Sequence, residues 1–126
     1  MSKLFGPDFI ALQVRDLEIS KLFYMEHLQL SVADQSPPGA VVFKTSPIPF
    51  AIRTAAIDLS ASPQLGWGVA IWLACKDADF FYESLQKAAV SILTPINDGP
   101  FGRFFTFKDP DGYSITLHTK TTHATT

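Results

Sequence analysis

Two short apolar runs, "FIALQV" (9–14) and "VAIWLAC" (69–75), each lead into an aspartate and then into a stretch with apolar residues at helical spacing. After Asp16, the residues Leu17, Ser20, Phe23, Tyr24 and Leu28 fall on one helical face. After Asp77, the residues Ala78, Phe81, Tyr82, Leu85 and Ala88 do the same. Each aspartate suits an N-cap, where a side-chain oxygen accepts from an orphan backbone N–H. Glu18 and Asp79 suit the positive end of the helix dipole. Both helical stretches give way to alternating, strand-like segments, near 30–34, 40–44 and 50–55 in the first half and near 90–94, 103–108 and 113–118 in the second.

The halves superimpose with little slack. Asp16 falls on Asp77 at an offset of 61, Leu30 on Val90 at 60, and Pro47 on Pro110 and Ile52 on Ile115 at 63. Each half then reads strand, helix and three strands. The predicted fold class is α+β, two tandem βαβββ modules forming a curved, open, barrel-like sheet around a cup. Module one covers about 7–57, a Ser-, Pro- and Gly-rich linker 58–68, module two about 69–118 and a flexible tail 119–126, all within a single domain. Alternation sends Ile10, Leu12 and Val14, then Val69, Ile71, Leu73 and Cys75, toward the helices. It leaves Phe9, Ala11, Gln13, Ala70, Trp72, Ala74, Ser114, Thr116 and His118 on the opposite, cup-lining faces, where a ligand belongs.

Composition narrows the function classes. Ten basic and twelve acidic residues give a net charge of −2, with no basic face able to neutralise a phosphate backbone, so nucleic acid is not an expected partner. A single cysteine rules out an internal disulfide. The N-terminal "MSKLFGPDF" lacks the apolar core of a signal peptide and no run approaches a membrane span. The expectation is a cytoplasmic protein that does not contact membranes.

The stretches "LQVRDLEISKLFYMEHLQL" (12–30) and "GRFFTFKDPDGYSITL" (102–117) resemble the vicinal oxygen chelate superfamily, which includes glyoxalase I, fosfomycin-modifying enzymes, extradiol dioxygenases and bleomycin resistance proteins. The resemblance implies a paired βαβββ fold, usually dimeric, with a divalent metal in the cup of its enzymes. It also implies that the four metal-ligand positions fall on Phe9, Ala70, Arg53 and Thr116. Phe and Ala carry no lone pair for a cation, and the fixed charge of Arg53 repels one. No metal and no cofactor are therefore expected. The pattern is most similar to metal-free, bleomycin-resistance-like members that sequester a drug without transforming it.

The favoured reading is a metal-free small-molecule binding protein, leaning against an enzyme, for a planar, partly apolar ligand with a polar or anionic handle. Its candidate ligand-binding residues are Phe9, Gln13, Arg53, Trp72, Phe104, Thr106, Thr116 and Arg103, with Phe101 and the loop 96–102 at the mouth of the cup. A homodimer is expected. The alternative is a lyase or dioxygenase of the same fold with atypical or no metal ligands, using Arg53 and His118 for acid–base chemistry. Blander readings stand beside these: Phe9 and Trp72 as ordinary core, and Arg53 one residue out of register and facing solvent. Asp109 and Asp111 in "DPDG" read as a type I turn, Cys75 as a small buried hydrophobe, His118 as a rim residue, and His27 and His123 as exposed.

Overall fold

In the structure, a computed structural model describing residues 4–120, the two aspartates start the two helices. The Asp16 carboxylate accepts from the Ile19 N–H at 3.1 Å and opens α1 (Leu17–Glu26). The Asp77 carboxylate accepts from the Phe80 N–H at 3.2 Å and opens α2 (Ala78–Lys87). Each satisfies one of the donors that a helix start leaves without a partner.

The chain divides into two compact units between Ala61 and Ser62, inside the predicted linker. The first unit holds a three-stranded sheet made of β1 (Ile10–Val14), β2 (Ala40–Phe43) and β3 (Phe50–Thr54), in the order β1-β3-β2. The second holds β4 (Ile71–Cys75), β5 (Ile92–Gly99), β6 (Gly102–Lys108) and β7 (Ser114–Thr119), in the order β4-β7-β6-β5. Both sheets are mixed, and in each the strand before the helix pairs parallel with the last strand of the unit. The fold is α+β.

Alternation decides what each sheet buries. In the first unit Leu12, Val14, Phe43, Phe50 and Ile52 are buried with Tyr24 of α1, whose ring centroid lies 5.7 Å from Phe43 and 5.3 Å from Phe50. In the second, Ile71, Phe105, Phe107, Ile115 and Leu117 are buried with Leu85 of α2, and Tyr82 packs edge-on to Phe105 at 5.2 Å. One side of each sheet thus carries a helix, and the other side presents a mixture of small, polar and aromatic residues.

Three predicted boundaries change. The strand expected at 30–34 shrinks to a single bridge, Val32 to Phe43, flanked by Ala33 N–H to Val42 O and Lys44 N–H to Ser31 O. Past this bridge the Val42 N–H is taken by the Ser36 hydroxyl, which accepts it at 3.0 Å. The strand expected at 90–94 instead runs to Gly99 through two register irregularities around Pro95, which an edge strand tolerates. Most of the predicted mouth loop is therefore strand, and only Pro100 and Phe101 separate β5 from β6. Thr119, expected in the tail, ends β7 and its hydroxyl accepts from the Ala78 N–H at 2.8 Å. Lys120 follows, its N–H donating to Cys75 O at 2.8 Å, and residues 121–126 of that tail, with His123, lie outside the described residues.

Candidate functional site

On the open face of the first sheet, parallel pairing sets Ala11 beside Ala51 and Gln13 beside Arg53, while β2 sets Ala40 beside Arg53 and Val42 beside Ala51. Arg53 therefore shares a face with Phe9, Ala11 and Gln13, and the out-of-register reading falls. Because Ala11, Ala40 and Ala51 each offer only a methyl group, the face is hollow over them. A pocket of about 180 Å³ sits over Ala11, Ala40, Val42 and Ala51. Phe9, Pro37 and Pro38 wall it and Arg53 is its only charged lining residue. Phe9 is 53% exposed, so it is not core. Gln13 is occupied otherwise: its side-chain oxygen accepts from the Ala56 N–H at 2.7 Å and fixes the chain leaving β3.

On the open face of the second sheet, Trp72, Thr116 and Thr106 form one row across β4, β7 and β6, and Ala74, His118 and Phe104 form the next. Ala74 leaves room for the indole of Trp72 to reach diagonally. It stacks on Phe104 at 5.6 Å and meets the edges of His118 at 5.5 Å and Phe101 at 6.0 Å. Trp72 remains 44% exposed and Phe101 67%. His118 Nδ1 lies 3.0 Å from the Phe101 carbonyl, which ties the β5–β6 turn to β7. Gly99 makes this possible, since a Cβ there would stand 2.6 Å from the Phe104 ring. The Thr106 and Thr116 hydroxyls bond each other at 2.7 Å, one donating, so the pair keeps one O–H for a third partner. Thr116 is buried at 8% exposure, leaving Thr106 as the outward member.

The candidate residues thus gather as Phe9 with Arg53 in one unit, and Trp72 with Phe104, Thr106 and Thr116 in the other. Arg103 does not join them. It alternates with Phe104 and so faces α2, where its guanidinium donates to Asp79 at 2.8 and 3.3 Å and to Asp98 at 3.4 Å. That hydrogen bond holds the Asp79 carboxyl below its ordinary range. His118, expected as a rim residue, and Phe101, expected at the mouth, both join Trp72 through ring contacts. The shared parity of His118 with Thr116 pointed to its face, whereas the ring contact of Phe101 depends on a turn with no periodicity to read.

Two other groups resolve as structure. The Asp109 carboxylate accepts from the Asp111 and Tyr113 N–H groups, each at 2.9 Å, and the Gly112 N–H closes the turn onto Asp109 O. "DPDG" is a turn built around a buried acid. Cys75 is half-buried, its thiol donates to His118 O at 3.4 Å, and burial pushes its pKa up, away from a reactive thiolate.

The four positions that resemblance assigns to a metal do not fit one. Phe9 and Ala70 offer no donor, Arg53 is cationic, and the Thr116 hydroxyl is committed to Thr106. Among the described residues no group of three or more His, Cys, Asp or Glu side chains is placed to hold a cation.

The family model described as Glyoxalase/Bleomycin resistance protein/Dioxygenase superfamily matches residues 6–117. Comparison with curated proteins gives no match. Among solved structures, a protein of unknown function from Agrobacterium tumefaciens str. C58 is 26% identical, with a TM-score of 0.69 over 91% of this chain and 95% of that one. TnmS3, an antibiotic binding protein from Streptomyces sp. CB03234, is 22% identical, with a TM-score of 0.69 over 96% of this chain and 100% of that one. The fosfomycin resistance protein FosX from Listeria monocytogenes is 20% identical, with a TM-score of 0.71 over 94% of this chain and 95% of that one. At the two lower identities the likeness is one of fold.

Proposed function

The chain belongs to the Glyoxalase/Bleomycin resistance protein/Dioxygenase superfamily, and from that premise we propose that it is a metal-free small-molecule binding protein, of the drug-sequestering kind. The observation that carries this reading is the exposed ring cluster of Trp72, Phe104, Phe101 and His118 on the bare side of the second sheet. Such rings are an apolar surface of fixed orientation. A planar ligand laid on the indole gains about 0.5–1.5 kcal/mol beyond area burial from stacking, and the Thr106–Thr116 pair offers it a hydrogen bond. Antibiotic binding by TnmS3, a protein of the same fold, supports the class of ligand. The metal positions filled by Phe9, Ala70, Arg53 and Thr116 support binding without Lewis-acid chemistry.

The test is a thermal-shift screen of planar aromatic antibiotics, with metal analysis of the same protein purified without chelators. A true ligand at a hundred times its dissociation constant stabilises by about 2.7 kcal/mol, and Trp72→Ala abolishes most of that shift. A shift unchanged in Trp72→Ala, or near-stoichiometric zinc, nickel, manganese or iron, overturns the reading. A homodimer is part of the proposal, and sedimentation at micromolar concentration that shows only monomer removes it.

A further inference from the structure

The pocket on the first sheet makes a narrower statement about the ligand, one that rests on the binding reading above. About 180 Å³ is close to the size of cavity, about 150 Å³, that accepts a benzene ring. Its lining is apolar except for Arg53, whose guanidinium makes no hydrogen bond or ion pair among the described residues. The contrast with Arg103, forked onto Asp79, shows that an available acid is taken when one is in reach.

The wall is also fixed in advance. The Ala40 N–H closes a turn onto Pro37 O at 3.1 Å, with Gly39 at φ +76° in the third position, as a type II turn requires. Gly39 O in turn accepts from the Thr54 N–H at 2.9 Å, one residue beyond Arg53. Pro37 and Pro38 therefore stand at a set height over the sheet, and a ligand spends little ordering them.

We propose that this pocket is a subsite for a carboxylate borne on a single ring-sized apolar group, with Arg53 as its ion partner and Phe9, Pro37 and Pro38 as its walls. A guanidinium presents two parallel N–H groups that match a carboxylate. One positive charge balances one negative charge. A phosphate dianion would leave its second charge against alanine and proline, and a cation would meet the guanidinium.

The experiment is an NMR titration of the full chain with sodium benzoate at constant ionic strength, with benzyl alcohol and phenyl phosphate as comparison probes. Benzoate is expected to bind in the millimolar range, to shift amides of residues 39–42 and 51–53, and to outcompete both other probes. Arg53→Gln, at an exposed position, weakens benzoate by about tenfold to a hundredfold, the value of one charge-assisted contact. Ala11→Leu fills the pocket from its floor and abolishes the shifts with Arg53 intact. Benzoate that fails to bind, binds Arg53→Gln equally well, or shifts amides elsewhere overturns the assignment. If planar compounds still raise the melting temperature through Trp72, the pocket assignment alone is lost. If benzoate binds through Arg53 and no planar compound does, the pocket stands and the ring platform is lost.

Discussion

Replacing Asp109 separates a carboxylate that holds a turn from one that does chemistry. Asp109 is 5% exposed and its Oδ1 accepts two backbone N–H groups at 2.9 Å, one of them the buried N–H of Tyr113. Each bond to a charged acceptor is worth about 1.5–3 kcal/mol, and removing the acceptor leaves its donor unsatisfied, so Asp109→Ala should cost about 3–5 kcal/mol. Asp109→Asn keeps an oxygen at that point with bonds of neutral strength and should cost about 1–2 kcal/mol. At roughly 4 °C per kcal/mol for a chain of this size, the melting temperature falls by about 12–20 °C for alanine and about 4–8 °C for asparagine. Tryptophan fluorescence during urea unfolding is the assay, since Trp67 and Trp72 both lie in the unit that contains the turn. Asparagine as damaging as alanine, or alanine costing less than about 1 kcal/mol, refutes the account of the turn.

Two further outcomes follow from the second unit. Asp79 has a lowered pKa through its hydrogen bond from Arg103, so the stability it adds is present above the ordinary aspartate value of 3.8 and is lost as pH falls through the lowered one. Urea midpoints measured from neutral pH downward should therefore fall more steeply below about pH 4 for the native chain than for Asp79→Asn; parallel curves contradict this. Gly102 has φ +105°, and a Cβ there would run into the Thr119 carbonyl. Gly102→Ala should cost more than about 2 kcal/mol by urea unfolding and detach the β5–β6 turn from β7, and a midpoint shift worth under about 0.5 kcal/mol refutes it.

The fold was legible because its signals are local and repeated. An aspartate before a helical stripe marks a helix start twice, and the offset near 61 residues carries the rest. The parallel pairs show how far such a repeat can be trusted: Gln13 lies opposite Arg53, 40 residues on, whereas Trp72 lies opposite Thr116, 44 residues on. The two registers differ by an even number, so every side chain keeps its face although its neighbours change. That is why Arg53 and Thr116 emerge on open faces as expected, with Gln13 beside Arg53. Pro37 and Pro38 were out of reach: they line the pocket from a loop, and a loop has no period.

Arg103 shows that the same rule can be applied too loosely. Phe104 on the open face already required Arg103 to point the other way, because successive strand residues face opposite sides. Its attraction was a sequence of aromatic neighbours, and adjacency in a strand is not adjacency on a surface. Placed toward α2, it meets Asp79 in the first turn, an acid that also suits the positive end of that helix. The two arginines thus part company through what the helix supplies. On the covered side of its sheet Arg103 finds an acid on the chain itself, in a partly exposed ion pair. On the open side Arg53 lies among alanines and prolines and meets no acid among the described residues, which is the premise of the carboxylate subsite proposed above.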